Sequence, residues 1–334
     1  FRIFAENIRA ASKKYSADCP WYIMTSPLNH EQTTNIFREN NFFGLNRDNI
    51  FIFQQGTMPN FDFDGRIYLA DKDRIASSPD GHGGSLKALG VSGAIEDMKR
   101  RGVEYISYWQ VDNPLINIYD PLFIGLHCKE GSEISSKALQ KASPNEKVGN
   151  LCMADGKVTV IEYSDLPEEL AEKRNPDGSL AFELGSIGIH MINREFVEKL
   201  NSGRLTLPVH RAVKKIPHLN KDGNHTDPKE PNGVKLETFI FDALPLAEKS
   251  IILRTQRAQE FAPVKNASGS DSPEVTRKMM IERAADWIRS AGAGVPEKED
   301  GTADCKIEIS PLFALHKPDV KERASEIPEI KPAD

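Results

Sequence analysis

The chain has 334 residues, a formal net charge of −6, 39% hydrophobic and 28% charged residues. That length predicts about two domains of ordinary globular composition. The acidic balance argues against a nucleic-acid binder that neutralises phosphates over a broad face, and leaves room for a local pocket for one small anion. No run approaches the ~18 uninterrupted apolar residues of a membrane span. No signal peptide is visible. Cys19, Cys128, Cys152 and Cys305 include no C-x-x-C pair, so neither a zinc site nor a redox motif is suggested. Scattered thiols fit a reducing compartment, and a cytoplasmic location is the expectation.

The chain opens with a helix-interior pattern: Phe1, Phe4, Ala5 and Ile8 share one face, with no capping residue ahead of them. The expectation is a fragment that starts inside a helix. Trp21-Tyr22-Ile23-Met24-Thr25-Ser26 reads as a short buried strand and residues 29–40 as a helix. Ile50-Phe51-Ile52-Phe53 is a strand ending at Gln54-Gln55-Gly56. Pro79-Asp80-Gly81-His82-Gly83-Gly84 then places three glycines in four positions, between a strand-like segment ending near Ile75 and a helix from Ser85. A backbone without Cβ atoms can approach a flat ligand, and N–H groups at a helix start favour anions. An ordinary tight turn is the competing reading.

Leu86, Leu89, Ile95 and Met98 keep an approximate helical spacing up to Lys99-Arg100-Arg101-Gly102, a cationic stop at the negative end of the dipole. Residues 103–111 read as a strand with Asp112 just past its end. Strands alternating with helices predict an α/β fold, doubly wound around a mostly parallel sheet, where ligands bind beyond the carboxyl ends of the strands. Gln55, the glycine run and Asp112 all fall at such ends and converge on one edge.

Residues 133–141, 148–153 and 157–163 are strand-like, with an Asp155-Gly156 turn between the last two. They predict a β-meander added to the sheet. Residues 220–233 form a polar loop, and Thr238-Phe239-Ile240-Phe241-Asp242 reads as a strand or strand end. The small, polar, breaker-rich run from Lys265 to Pro273 is the domain boundary. It separates residues 1–265 from a small α+β domain, 266–334, with a helix over 273–291 and a loosely held charged tail.

In this order, the segments Trp21 to Ser26, Phe53-Gln54-Gln55-Gly56, Pro79 to Gly84, Val111-Asp112-Asn113, Glu162-Tyr163-Ser164, Lys214-Lys215-Ile216-Pro217, Phe239-Ile240-Phe241-Asp242, Phe261 to Asn266 and Glu308-Ile309-Ser310-Pro311-Leu312 resemble the UDP-N-acetylhexosamine pyrophosphorylases. The resemblance runs from Phe1 to about Leu312. It implies a Rossmann-like nucleotidyltransferase fold with a doubly wound mixed sheet. It also implies a Mg²⁺-dependent uridylyl transfer in which a sugar 1-phosphate attacks the α-phosphorus of UTP, giving a UDP-sugar and pyrophosphate. Such catalysis is positioning and charge stabilisation, and no Ser-His-Asp or Cys-His arrangement stands out.

The resemblance assigns roles residue by residue. Gln55 reads uracil through an amide that both donates and accepts, with Gln54 its competitor and a strand cap its plain reading. Gly81 is the backbone contact to the base. His82 stands where other members carry Asn. Asp112 lies near the α-phosphate and the metal, a hard oxygen ligand suited to Mg²⁺; a helix N-cap is the plainer use. Gly149 and Glu162 hold the sugar. Ser186 stands where the best-known members have Asn and has shorter reach to a sugar hydroxyl. Phe239 and Phe241, alternating along a strand, wall the N-acetyl pocket or simply pack the core. Lys265 meets the β-phosphate or the departing pyrophosphate, as a point charge suited to phosphate. The family's Gly-rich phosphate loop is not found in the 334 residues.

Overall fold

The computed structural model describes residues 1–203 and 206–333. Helix α1 (Arg2–Tyr15) buries Phe4, Ala5, Ile8 and Ala11, the stripe that its sequence spacing predicts. Strands β1 (Trp21–Thr25) and β2 (Ile50–Gln54) pair in parallel, Met24 beside Phe53, with α2 (His30–Glu39) between them in sequence. β3 (Thr57–Pro59) then pairs antiparallel with β4 (Ser77–Pro79). The glycine run therefore follows an excursion that folds back on itself, not a strand of the main sheet. Helices α3 (Gly84–Val91) and α4 (Ala94–Arg100) replace the single helix of the sequence reading, because Gly93 adopts φ 81° between them.

β5 (Tyr105–Tyr108) is shorter than the expected strand over 103–111, and Asp112 lies in the loop beyond it. β6 (Ile134–Gln140), β7 (Gly149–Ala154), β8 (Lys157–Ile161) and β9 (Leu184–Asn193) follow. With β12 (Ile252–Arg254) they form a sheet in the order β8-β7-β9-β6-β12, and β5 pairs with the second half of β9. Only the β6–β12 contact is parallel; the other contacts in this sheet are antiparallel. The expectation of a mostly parallel sheet is corrected to a mixed one. The hairpin at Asp155-Gly156, with positive φ at both residues, turns β7 straight back onto β8.

β10 (His210–Lys214) and β11 (Gly233–Glu237) form an antiparallel pair that also takes in Phe61–Asp62. The chain leaves that sheet after Glu237, and Ile240–Leu246 is a 3₁₀ helix with Pro245 inside it. Phe239 and Phe241 are thus not alternate residues of a strand. They open a helical turn, and their rings still meet, 5.1 Å apart.

Helix α5 (Pro273–Ser290) is capped by the Ser272 hydroxyl, which accepts the Val275 N–H. After it the chain returns to α1. Lys14 meets Asp319 at 2.5 Å, Ser310 donates to Glu6 at 2.7 Å, and Leu315 and Val320 are buried beside α6 (Lys317–Glu322). Of the last ~20 residues expected to be loosely held, those through α6 are packed, while residues 323–333 are exposed or half-buried.

A cavity of about 690 Å³ separates β1 from β5 and is lined by every residue of both strands. Residues from α1 and α3 (Ile8, Leu86 and Leu89) line it as well. Among the described residues β1 pairs only with β2, and β5 only with β9. Each strand therefore has one edge without a strand partner among those residues, and both strands line the same cavity.

Candidate functional site

The glycine run is shaped by protein contacts. A Cβ on Gly81, whose φ is +84°, would sit 2.4 Å from the Thr238 carbonyl oxygen. One on Gly83 would sit 2.7 Å from the Phe239 backbone, and one on Gly84 2.0 Å from the Asp80 carboxylate. The loop is laced to the segment after β11: Thr238 N–H donates to the Asp80 carbonyl and Gly83 N–H to the Thr238 carbonyl, each at 2.8 Å. The glycines let two backbones touch, which accounts for them without a ligand.

That docking fixes the side chains around it. Gln55 Nε2 donates to Asp80 Oδ1 at 3.0 Å and to the Gly81 carbonyl at 3.2 Å. Both partners are acceptors, so the amide orientation is settled, and Oε1 is left to accept from an N–H. Gln54 is exposed. His82 Nδ1 accepts the Ile240 N–H at 3.2 Å, and its ring stacks on Phe239 at 5.2 Å. Burial, helped by the Lys265 charge, lowers the His82 pKa to about 4. The imidazole is neutral with its proton on Nε2, which is left to donate.

A second group forms where β7, β8 and β9 meet. Gly149 and Ser186 are register partners. A Cβ on Gly149 would sit 2.5 Å from Val160 Cγ1 and 3.5 Å from Glu162 Oε1. Glu162 lies just past the end of β8, where its carbonyl accepts the Asp165 and Leu166 N–H groups. Burial and then Asp165 push its carboxyl pKa up, while His210 and Lys265 pull it down.

The third group is Asp112 and Lys265. The Val264 N–H donates to the Asp112 carbonyl at 2.9 Å, which brings the two side chains into one neighbourhood. Burial raises the Asp112 carboxyl pKa, and the Lys265 ammonium opposes it. That ammonium also bears on His82 and Glu162, pulling down the pKa of each. Of the ten candidates only His82 also lines the cavity between β1 and β5. Among the described residues no cluster of three or more His, Cys, Asp or Glu could hold a metal unaided.

Sequence reasoning missed three residues of this region. Asp80 anchors Gln55, and Asp242 hydrogen-bonds His210 at 2.8 Å. Both sat inside motifs already singled out. His210 carried no signal, because its partners lie far along the chain.

The sequence model of a family described as UTP–glucose-1-phosphate uridylyltransferase matches residues 1–334. The human UDP-N-acetylhexosamine pyrophosphorylase-like protein 1 is 38% identical over 337 residues, covering 94% of this chain and 66% of that protein. The UDP-N-acetylglucosamine pyrophosphorylase of Saccharomyces cerevisiae is 39% identical over 308 residues, covering 89% of this chain and 64% of that protein. A crystal structure of the Trypanosoma brucei UDP-N-acetylglucosamine pyrophosphorylase, in complex with an inhibitor, superposes with a TM-score of 0.83 at 26% identity. It covers 98% of this chain, which covers 69% of it. This chain belongs to the UTP–glucose-1-phosphate uridylyltransferase family, and within it to the UDP-N-acetylhexosamine pyrophosphorylases. It spans 64% to 66% of the length of those two curated relatives. No helix among the described residues is long and apolar enough to cross a membrane.

Proposed function

We propose that this chain carries the base- and sugar-binding body of a uridylyltransferase that forms UDP-N-acetylglucosamine and pyrophosphate from UTP and N-acetylglucosamine 1-phosphate. The observation that carries the reading is geometric: the Gln55 amide is held on Asp80 and the Gly81 carbonyl with its oxygen left to accept, and Gly149 lies opposite Ser186 with the Glu162 carboxylate beside it. Gln55 Oε1 accepts the uracil N3–H, and His82 Nε2 donates to the nucleotide. Glu162 accepts from two adjacent sugar hydroxyls, a partnership that offsets the cost of a half-buried carboxylate. Gly149 and Ser186 form the floor beneath the sugar, and Phe239 with Phe241 forms its apolar wall.

In the reaction a phosphate oxygen of the sugar phosphate bonds to the α-phosphorus of UTP. The bond from that phosphorus to the bridging oxygen breaks, and its electrons leave with pyrophosphate. Lys265 neutralises the departing charge. Asp112 fits Mg²⁺, which takes one or two carboxylates and completes its shell with phosphate oxygens and water. When bound there the ion would supply further charge neutralisation.

The sequence holds no Gly-rich phosphate loop. We assign the strand that would carry such a loop to the cavity between β1 and β5. The chain alone then binds the UDP-sugar and does not turn it over. Ser186, standing where the best-known members have Asn, supports a second reading, a glucose- or galactose-type sugar phosphate. One experiment separates these readings. Binding of UDP-N-acetylglucosamine and UDP-glucose to the chain is compared, and pyrophosphate release is followed with and without a segment supplying the loop. Preference for the N-acetylated sugar, with turnover only in the presence of the loop, is the expected outcome. Robust turnover by the chain alone contradicts the loop assignment, and equal binding of the two sugars contradicts the N-acetyl assignment.

A further inference from the structure

His210, the first residue of β10, takes no part in the reading above. Its Nε2 lies 2.8 Å from Asp242 Oδ2, and an ionised carboxylate only accepts, so the imidazole donates. Its ring packs on Phe239, centroids 4.5 Å apart at 30°. Phe239 in turn touches His82 at 5.2 Å and Phe241 at 5.1 Å. Burial raises the Asp242 carboxyl pKa, and the hydrogen bond from His210 opposes that rise. The Glu162 carboxyl feels both members of the pair.

The backbone ahead of Phe239 is held through Thr238, whose N–H donates to the Asp80 carbonyl and whose carbonyl accepts the Gly83 N–H, each at 2.8 Å. β11 ends at Glu237, and the 3₁₀ helix that follows has poorer hydrogen-bond geometry than an α-helix. These bonds place the Phe239 backbone, and side-chain contacts set how its ring is turned. His82 and His210 both pack on the ring, and His210 is itself fixed to the turn that carries Phe239, through Asp242.

We propose that the His210–Asp242 pair is a positioning device that sets sugar specificity. It clamps Phe239 so that the pocket wall stands where an N-acetyl group packs and a bare hydroxyl leaves a gap. The inference rests on the sugar-nucleotide reading and adds to it the residues that decide between N-acetylated and plain sugars. A pocket that distinguishes small apolar groups does so by roughly 10- to 200-fold, which bounds the effect of loosening its wall.

The test measures the affinities of UDP-N-acetylglucosamine, UDP-glucose and UDP for the chain and for its His210→Ala, His210→Gln and Asp242→Asn variants. In His210→Ala the preference for the N-acetylated ligand falls by about tenfold, and UDP affinity is unchanged. Asp242→Asn, whose amide oxygen still accepts from His210, keeps the preference. His210→Gln reaches Asp242 without a ring and loses the preference while the fold is retained, as thermal unfolding checks. Equal weakening of all three ligands, or an unaltered preference in both His210 variants, overturns the proposal. A wild-type chain that does not distinguish the two sugars overturns the N-acetyl reading beneath it.

Discussion

His82 and Phe239 lie face to face, ring centroids 5.2 Å apart and planes 26° from parallel, although they come from segments far apart in the chain. The stacking works only while the imidazole is neutral, since Nδ1 must accept the Ile240 N–H. The pKa of His82 is about 4 in the fold against 6.5 in an unfolded chain. Between those values the unfolded chain binds a proton that the folded loop refuses. Stability therefore falls as pH drops through that window and levels off below it. His190, fully buried with a pKa of about 3, acts with the same sign. The His82 share is at most about 3 kcal/mol. Urea unfolding at pH 7, 5 and 4 checks this: His82→Asn should flatten the decline. Identical slopes in wild type and variant would mean that His82 titrates normally.

The backbone contact beneath that stack makes a second prediction. Gly83→Ala puts a methyl 2.7 Å from the Phe239 backbone, where nothing flexible can give way. Gly81→Ala adds a φ of +84° to a 2.4 Å clash with the Thr238 carbonyl. Both should cost on the order of 1–3 kcal/mol, as strained and overpacked sites do. Both should also weaken UDP-sugar binding by shifting Phe239. Gly65→Ala, with a similar φ of +84° and nothing within 4 Å, is the control for backbone strain alone. Thermal unfolding beside ligand titration reads both effects. Equal losses in Gly65→Ala and Gly81→Ala would leave no weight for the Thr238 contact.

Much of this geometry was legible in the sequence. The parallel pair β1–β2, the hairpin at Asp155-Gly156 and helix α5 all follow from local periodicity and turn chemistry. The neighbourhood of Gly149, Glu162 and Ser186 followed from ordered motifs, and β7 and β9 join Gly149 to Ser186 directly. What was not legible depended on distant contacts. The contact that shapes the glycine run was not legible, because Thr238 lies more than 150 residues away. Phe239 and Phe241 looked like strand residues because local pattern does not show that β11 ends two residues earlier. The antiparallel course of β9 reflects pairings that no single strand reveals.

Asp112 and Lys265 supply the charge prediction, in a protein completed with its phosphate loop. Asp112→Ala should lower turnover by at least ~10²-fold, the scale of one lost electrostatic stabiliser. Lys265→Ala should do two things. It should slow pyrophosphate release, and it should let the Asp112 carboxyl pKa rise further, because the ammonium that opposes the burial penalty is gone. The acid limb of the pH–rate profile then moves to higher pH. A profile that keeps its acid limb in Lys265→Ala would uncouple the two residues, and a near-wild-type rate in Asp112→Ala would remove it from the site.

The cavity between β1 and β5 supports the last prediction. Each strand presents an edge without a strand partner among the described residues, and unpaired backbone groups out of water are costly. An extended segment entering there would find backbone partners on both strands and apolar side chains from α1 and α3. Trp21 and Trp109 line the space and stack at 5.9 Å, while Trp287 lies elsewhere, bonded to Gln259 at 3.2 Å. Two of the three tryptophans should therefore report on occupancy. A peptide of alternating apolar residues ending in the family's Gly-rich loop, added to the chain, should change tryptophan emission and raise the unfolding temperature in a saturable way. A scrambled peptide of the same composition should do neither. Because it brings the family's phosphate loop, the same peptide should also tighten UDP-sugar binding. Saturable stabilisation without that tightening would place the segment in the cavity and separate it from the site.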